Sequence, residues 1–98
     1  MKCTLSEIRS KEVINIKTGS RLGYVDDLEF DTSDSSINSF IVYGRGRFFG
    51  LMGREQDLVI KCKDIQLVGE DTILISLDVV EMARRHTIYP KKPAFNFF

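Results

Sequence analysis

Ninety-eight residues and 11.2 kDa suit one compact domain, and a hydrophobic share of 43% exceeds what a disordered chain carries. Fourteen basic and fourteen acidic side chains cancel, so no global charge draws the chain toward nucleic acid or anionic lipid. No apolar run approaches the ~20 residues of a membrane span, and the opening Met1-Lys2-Cys3-Thr4-Leu5 builds no signal-peptide core. The expectation is a cytoplasmic protein.

Alternation at period two, broken by short polar turns, points to a small antiparallel β fold. Glu12 to Lys17 reads as the first strand, with Val13 to Ile16 apolar enough for burial on both sides. After the turn Thr18-Gly19-Ser20, a second strand spans Arg21 to Asp31, where Asp26 falls on the face of Leu22, Tyr24, Leu28 and Phe30. A one-residue bulge near Asp26–Asp27 repairs the phase, turning Val25 inward and both acids toward solvent. Turn formers fill Asp31 to Ser36, and a third strand runs from Ile37 to Tyr43. Strands follow at Asp57–Lys61, Ile65–Val68 and Thr72–Leu77, the last two joined by the turn Gly69-Glu70-Asp71. Six strands at this spacing predict an all-β, six-stranded antiparallel barrel or sandwich over residues 1–77. Asp78 and Glu81 carry the spacing of a helix N-terminus, so residues 78–98 read as a helix of about two turns followed by an extended aromatic and basic tail.

Two cysteines, Cys3 and Cys62, are too few for a disulfide framework, and with His86 they fall short of a four-ligand zinc site. Cys62, following Leu58-Val59-Ile60, reads as a small buried or half-buried hydrophobe. His86, beside Arg84 and Arg85, reads as a solvated surface residue, so hydrolytic chemistry has no base to draw on. Asp26, Asp27, Glu29, Asp31 and Asp34 resemble a calcium loop only loosely, because its glycine position holds Thr32 and its last position Asn38. They read as a solvated outer face, with a weak cation or basic-partner site as the alternative. No cofactor, metal or small-molecule substrate is implied.

The segment from Gly44 to Arg54 is the most informative. Arg45, Arg47 and Arg54 alternate with glycines around Phe48, Phe49, Leu51 and Met52, with no acid among them. It is neither a dinucleotide fingerprint nor a P-loop. Three readings stand: the apolar tip buries against a protein partner or a second subunit, it folds back on its own barrel, or the arginines grip phosphates while the rings stack bases. The tail ends on Phe95, Phe97 and Phe98 after Lys91 and Lys92, net positive where the Asp26–Asp34 stretch is net negative. That polarity offers self-association, and the alternation of Phe95 and Phe97 about Asn96 suits strand addition to a neighbour. The competing reading is a tail that covers its own barrel. The expected contact residues are Arg45, Arg47, Phe48, Phe49, Leu51, Met52, Arg54, Phe95, Phe97 and Phe98, acting on a protein partner and in a homodimer.

Three blocks resemble the PRC-barrel domain, and within it the YlmC/YmxH group of sporulation-associated proteins of spore-forming bacteria. Residues Leu5 to Asn15 resemble the family's opening and Gly19 to Leu28 its first hairpin. The third block is Gly44-Arg45-Gly46-Arg47-Phe48-Phe49-Gly50, continuing through Leu58-Val59-Ile60 to Val68-Gly69-Glu70-Asp71-Thr72-Ile73. Cys62 stands where an aromatic residue is common, and the tail from Asp78 exceeds the usual short end. The resemblance implies a small β-barrel serving as a non-enzymatic adaptor or assembly module, with no catalytic residues to carry over. Family members serve electron-transfer, RNA-processing and sporulation settings, so the fold leaves the activity open.

Overall fold

The structure is a computed structural model that describes residues 2–44 and 56–87. It opens with a helix the strand reading did not anticipate, α1 (Leu5–Arg9). Its signal lies in Thr4 and Glu7: the Glu7 N–H donates to Thr4 Oγ1 at 3.1 Å while the Thr4 N–H donates to the Glu7 carboxylate at 3.1 Å, a closed capping box. The one buried residue of α1, Ile8, pins it to the core.

Eight strands follow among the described residues, in two four-stranded sheets. They are β1 (Glu12–Asn15), β2 (Ser20–Tyr24), β3 (Asp27–Asp31), β4 (Ser36–Val42), β5 (Asp57–Lys61), β6 (Ile65–Val68), β7 (Thr72–Ile75) and β8 (His86–Thr87). The first sheet has the order β2-β1-β7-β6 and the second β3-β4-β5-β8. Four features correct the six-stranded, all-antiparallel barrel. The expected second strand divides into β2 and β3, which belong to different sheets, and a short β8 is added after the C-terminal helix. β1 and β7 pair in parallel, and among the described residues no ladder joins the two sheets into a closed barrel.

The phase break at Asp26 marks where the chain leaves one sheet for the other. Val25 is buried there as expected, but no bulge carries both acids outward: the Asp26 N–H donates to the Ile41 carbonyl at 2.8 Å, and Asp26 is half-buried. Ile16, expected inside, is exposed because β1 ends at Asn15. The turn before β2 uses Gly19 at φ +73°.

Between the sheets lies one core of Val13, Val25, Phe40, Val42, Leu58, Ile60, Ile73, Ile75 and Leu77, with Ile8 at its margin. Within it Asn15, 0% exposed, replaces a stretch of ladder. Its amide donates to the Leu77 carbonyl at 2.7 Å, and its Oδ1 accepts the N–H groups of Leu77 at 3.0 Å and Lys17 at 3.2 Å. A buried amide of this kind is tolerated because its donor and acceptor sides are both satisfied.

Helix α2 (Val79–Arg85) starts where the spacing predicted, Asp78 Oδ1 accepting the Glu81 N–H at 2.8 Å. Arg85 turns back and places a two-toothed ion pair on Asp64, with both N···O distances 2.9 Å and side-chain exposures of 10% and 5%. Asp64 also accepts the Lys61 N–H at 2.9 Å, closing the 3-10 turn Cys62–Asp64. Burial pushes the Asp64 carboxyl up, but the Arg85 fork, the Lys61 N–H and the Lys63 charge outweigh it and hold the group below its ordinary value. Through this pair α2 and β8 are fastened to the second sheet.

Candidate functional site

The residues expected to make contacts, Arg45, Arg47, Phe48, Phe49, Leu51, Met52 and Arg54 in the loop and Phe95, Phe97 and Phe98 in the tail, lie outside the described residues. What the structure describes is the platform from which both segments depart. The loop leaves β4 at Tyr43-Gly44 and returns at Gln56-Asp57, and the tail leaves β8 at Thr87, the register partner of Asp57. All three points therefore meet at one end of the second sheet.

Carboxylates hold that end. Asp26 Oδ2 accepts the Tyr43 N–H at 2.8 Å, and Asp57 Oδ1 accepts the Gly44 N–H at 2.7 Å. The Tyr43 hydroxyl donates to Asp27 at 3.0 Å. Asp57 is 0% exposed. Burial pushes the Tyr43 phenol up, and its bond to Asp27 with the charges of Asp27, Asp26 and Asp57 push it the same way. The acidic run is thus only partly the solvated face expected of it. Asp31 and Asp34 fasten the β3–β4 turn through Ser33 and Ser36 and Glu29 accepts the Ser39 hydroxyl, but Asp26 and Asp27 anchor the stem of the basic loop. Among the described residues no three His, Cys, Asp or Glu side chains are grouped to hold a metal ion.

Beside the stem a hollow of about 220 Å³ opens between the sheets. Leu22, Val42 and Leu58 are its apolar lining, and Arg21, Gln56 and His86 are among the polar groups around it. His86 differs from expectation: it is half-buried, it pairs with Leu58 in β8, and its Nδ1 lies 2.6 Å from the Met82 carbonyl. Cys62 differs in the opposite sense. It is exposed on the 3-10 turn, with its Sγ donating to the Ile37 carbonyl at 3.3 Å. Strand β5 ends before it, at Lys61, so the apolar run predicting its burial had already stopped.

Sequence reasoning passed over Asp57, Tyr43 and Asn15. Asp57 had a signal, an acid at the head of the apolar strand Leu58-Val59-Ile60. Asn15 had only the oddity of a polar residue within an apolar run, which does not announce a partner at Leu77.

The described residues form a two-sheet β protein whose second sheet ends in a carboxylate-held stem. Residues 3–81 match the PRC-barrel domain family, and the chain belongs to that family. It is 35% identical over 74 residues to the "Probable sporulation protein YlmC" of Bacillus subtilis, covering 76% of this chain and 91% of that protein. It is also 35% identical over 79 residues to the uncharacterized protein YmxH of the same organism, covering 79% of this chain and 89% of that one. An uncharacterized protein of Clostridium acetobutylicum is 36% identical over 75 residues, covering 76% and 85% of the two chains. Among the described residues no helix is long and apolar enough to cross a membrane.

Proposed function

We propose that this chain is a non-enzymatic interaction module of the PRC-barrel type, associated with sporulation, that binds protein and itself through the Gly44–Gly53 loop and the C-terminal tail. The observation that carries the reading is the stem: Asp26 and the buried Asp57 each take a backbone N–H of Tyr43-Gly44, fastening the point where the Arg/Phe segment leaves the sheet. A variable segment held at its root by a fixed scaffold is the common design of binding loops. The non-enzymatic part rests on how the polar groups are used, since Asp26, Asp27, Asp57 and Asp64 each fasten backbone, a tyrosine or an ion pair. The sporulation setting rests on the name of the relative YlmC.

Protein contact is favoured over the ribosome- or RNA-associated reading because Asp26, Asp27 and Asp57 cluster at the stem residues Tyr43-Gly44, where they would repel a phosphate backbone. Light scattering of the wild type against Phe48→Ser/Phe49→Ser tests the proposal. A dimeric wild type and a monomeric variant are expected, and equal monomeric masses would overturn self-association. In a salt titration the contact should hold, whereas a steep loss would shift the reading to Arg45, Arg47 and Arg54 on phosphates.

A further inference from the structure

Far from the stem, at the opposite end of the second sheet, lies an apolar rim that the packing leaves open. Phe30 is 54% exposed and Ile37 45%, and the two are direct register partners across β3 and β4. Among the described residues β3 is an edge strand, with a ladder partner on the β4 side alone. Exposed Asp31, next to Phe30 in β3, and Asp34, in the β3–β4 turn, lie at the rim's end of the sheet. Pairing of β3 with β3 of another copy would set Asp27 against Asp31, like against like, which sheets disfavour. The edge therefore suits an extended segment that is apolar and cationic.

We propose that this rim, the β3 edge with Phe30 and Ile37, receives residues 88–98 of a second copy of the chain. That segment carries Lys91 and Lys92 for the acids and Phe95 and Phe97, alternating about Asn96, for the apolar pair. The proposal rests on the self-association reading and names the seat of the tail, a contact separate from that of the loop.

Reach decides between the copies. Thr87 pairs with Asp57 on the sheet edge opposite β3. Three strand spacings across, at about 4.8 Å each, and about six residues along β4, at about 3.3 Å each, put the rim roughly 24 Å away. Strand β8 also heads away from the rim, because His86 lies opposite Leu58 and Thr87 opposite Asp57. Phe95, eight residues beyond Thr87, spans at most about 26–29 Å when fully extended and Phe97 about 33–36 Å, so after the reversal Phe95 is at its limit within one chain and the two rings together are seated more easily by a second copy. A second copy meets no such limit.

Cys62 supplies the probe, since it is exposed and its Sγ touches the Ile37 carbonyl. The full-length Cys3→Ser/Asn96→Cys variant, which keeps both rings, should yield on mild oxidation a disulfide-linked dimer through Cys62. Adding Phe30→Ser/Ile37→Ser should cut that yield roughly ten-fold. A cross-link confined to one chain, or a yield no higher than from a Cys3→Ser/Val80→Cys control, overturns the proposal. Sedimentation of the unmodified protein keeps the two readings apart. A dimer that gives no cross-link overturns this seat and leaves self-association standing, whereas a monomer at every concentration overturns both.

Discussion

Asn15 and Asp57 are both 0% exposed polar residues, one inside each sheet, and they solve opposite problems. Asn15 is neutral and presents a donor and an acceptor to Leu77, extending the β1–β7 contact beyond its last ladder pair, Asn15–Ile75. Asp57 is an acid that accepts the Gly44 N–H at the root of the segment that carries Arg45, Arg47 and Arg54. Burying an amide whose partners match costs little, whereas burying a charge is tolerated only against compensating donors or cations. The first polar site joins two strands of one sheet; the second fastens the root of the basic segment.

Exchanging the chemistry of the two sites should break the comparison most visibly. Asn15→Asp removes the donor to Leu77 and buries a charge, so it should cost about 3–5 kcal/mol in denaturant unfolding. Its folded-state carboxyl is pushed up, so the loss should shrink as pH falls and the protonated acid donates again. If unfolding of this variant showed no pH dependence, the amide's role would be misassigned.

Arg85→Ala should come next, at about 3 kcal/mol, because it strands Asp64 at 5% exposure. The sign of the acid response follows from the depressed Asp64 value. This pair stabilises above the ordinary unfolded value of about 4 and is lost as pH falls through the folded one. Arg85→Ala should flatten the acid limb of a stability-against-pH curve, and an unchanged limb would contradict the assignment. Asp57→Asn should cost less, about 1 kcal/mol, since an amide oxygen still accepts the Gly44 N–H. A loss in thermal unfolding as large as that of Asn15→Asp would show that the charge itself holds the stem. The smallest effect belongs to Glu12→Gln, which removes an ion pair to the exposed Arg21 and should leave the melting temperature unchanged at moderate salt.

Much of the fold was legible because burial imposes period on a strand. β5 and β6 begin and end where alternation and turn residues placed them, and the Asp78 cap announced α2. The misreadings share a cause. A phase break at Asp26 looks alike in sequence whether the strand bulges or passes to another sheet, because both restore Val25 to the interior. The β1–β7 pairing joins residues about sixty positions apart, and no local pattern carries their parallel register. At the candidate site, the loop's composition was visible and its stem was not, since Asp26, Tyr43 and Asp57 become neighbours only when β3, β4 and β5 align.

By itself, then, the sequence determined that the chain is mostly β, where most of its strands lie, and that cationic and aromatic residues are concentrated in two segments. These follow from side-chain period and composition, which act over a few residues. Only the tertiary structure decided that there are two sheets, that Asn15 substitutes for a missing rung, that Arg85 locks the C-terminal helix to Asp64, and that loop and tail depart from one sheet end. Those outcomes depend on which distant groups can satisfy one another once water is excluded, a condition that exists only after the chain has closed on itself.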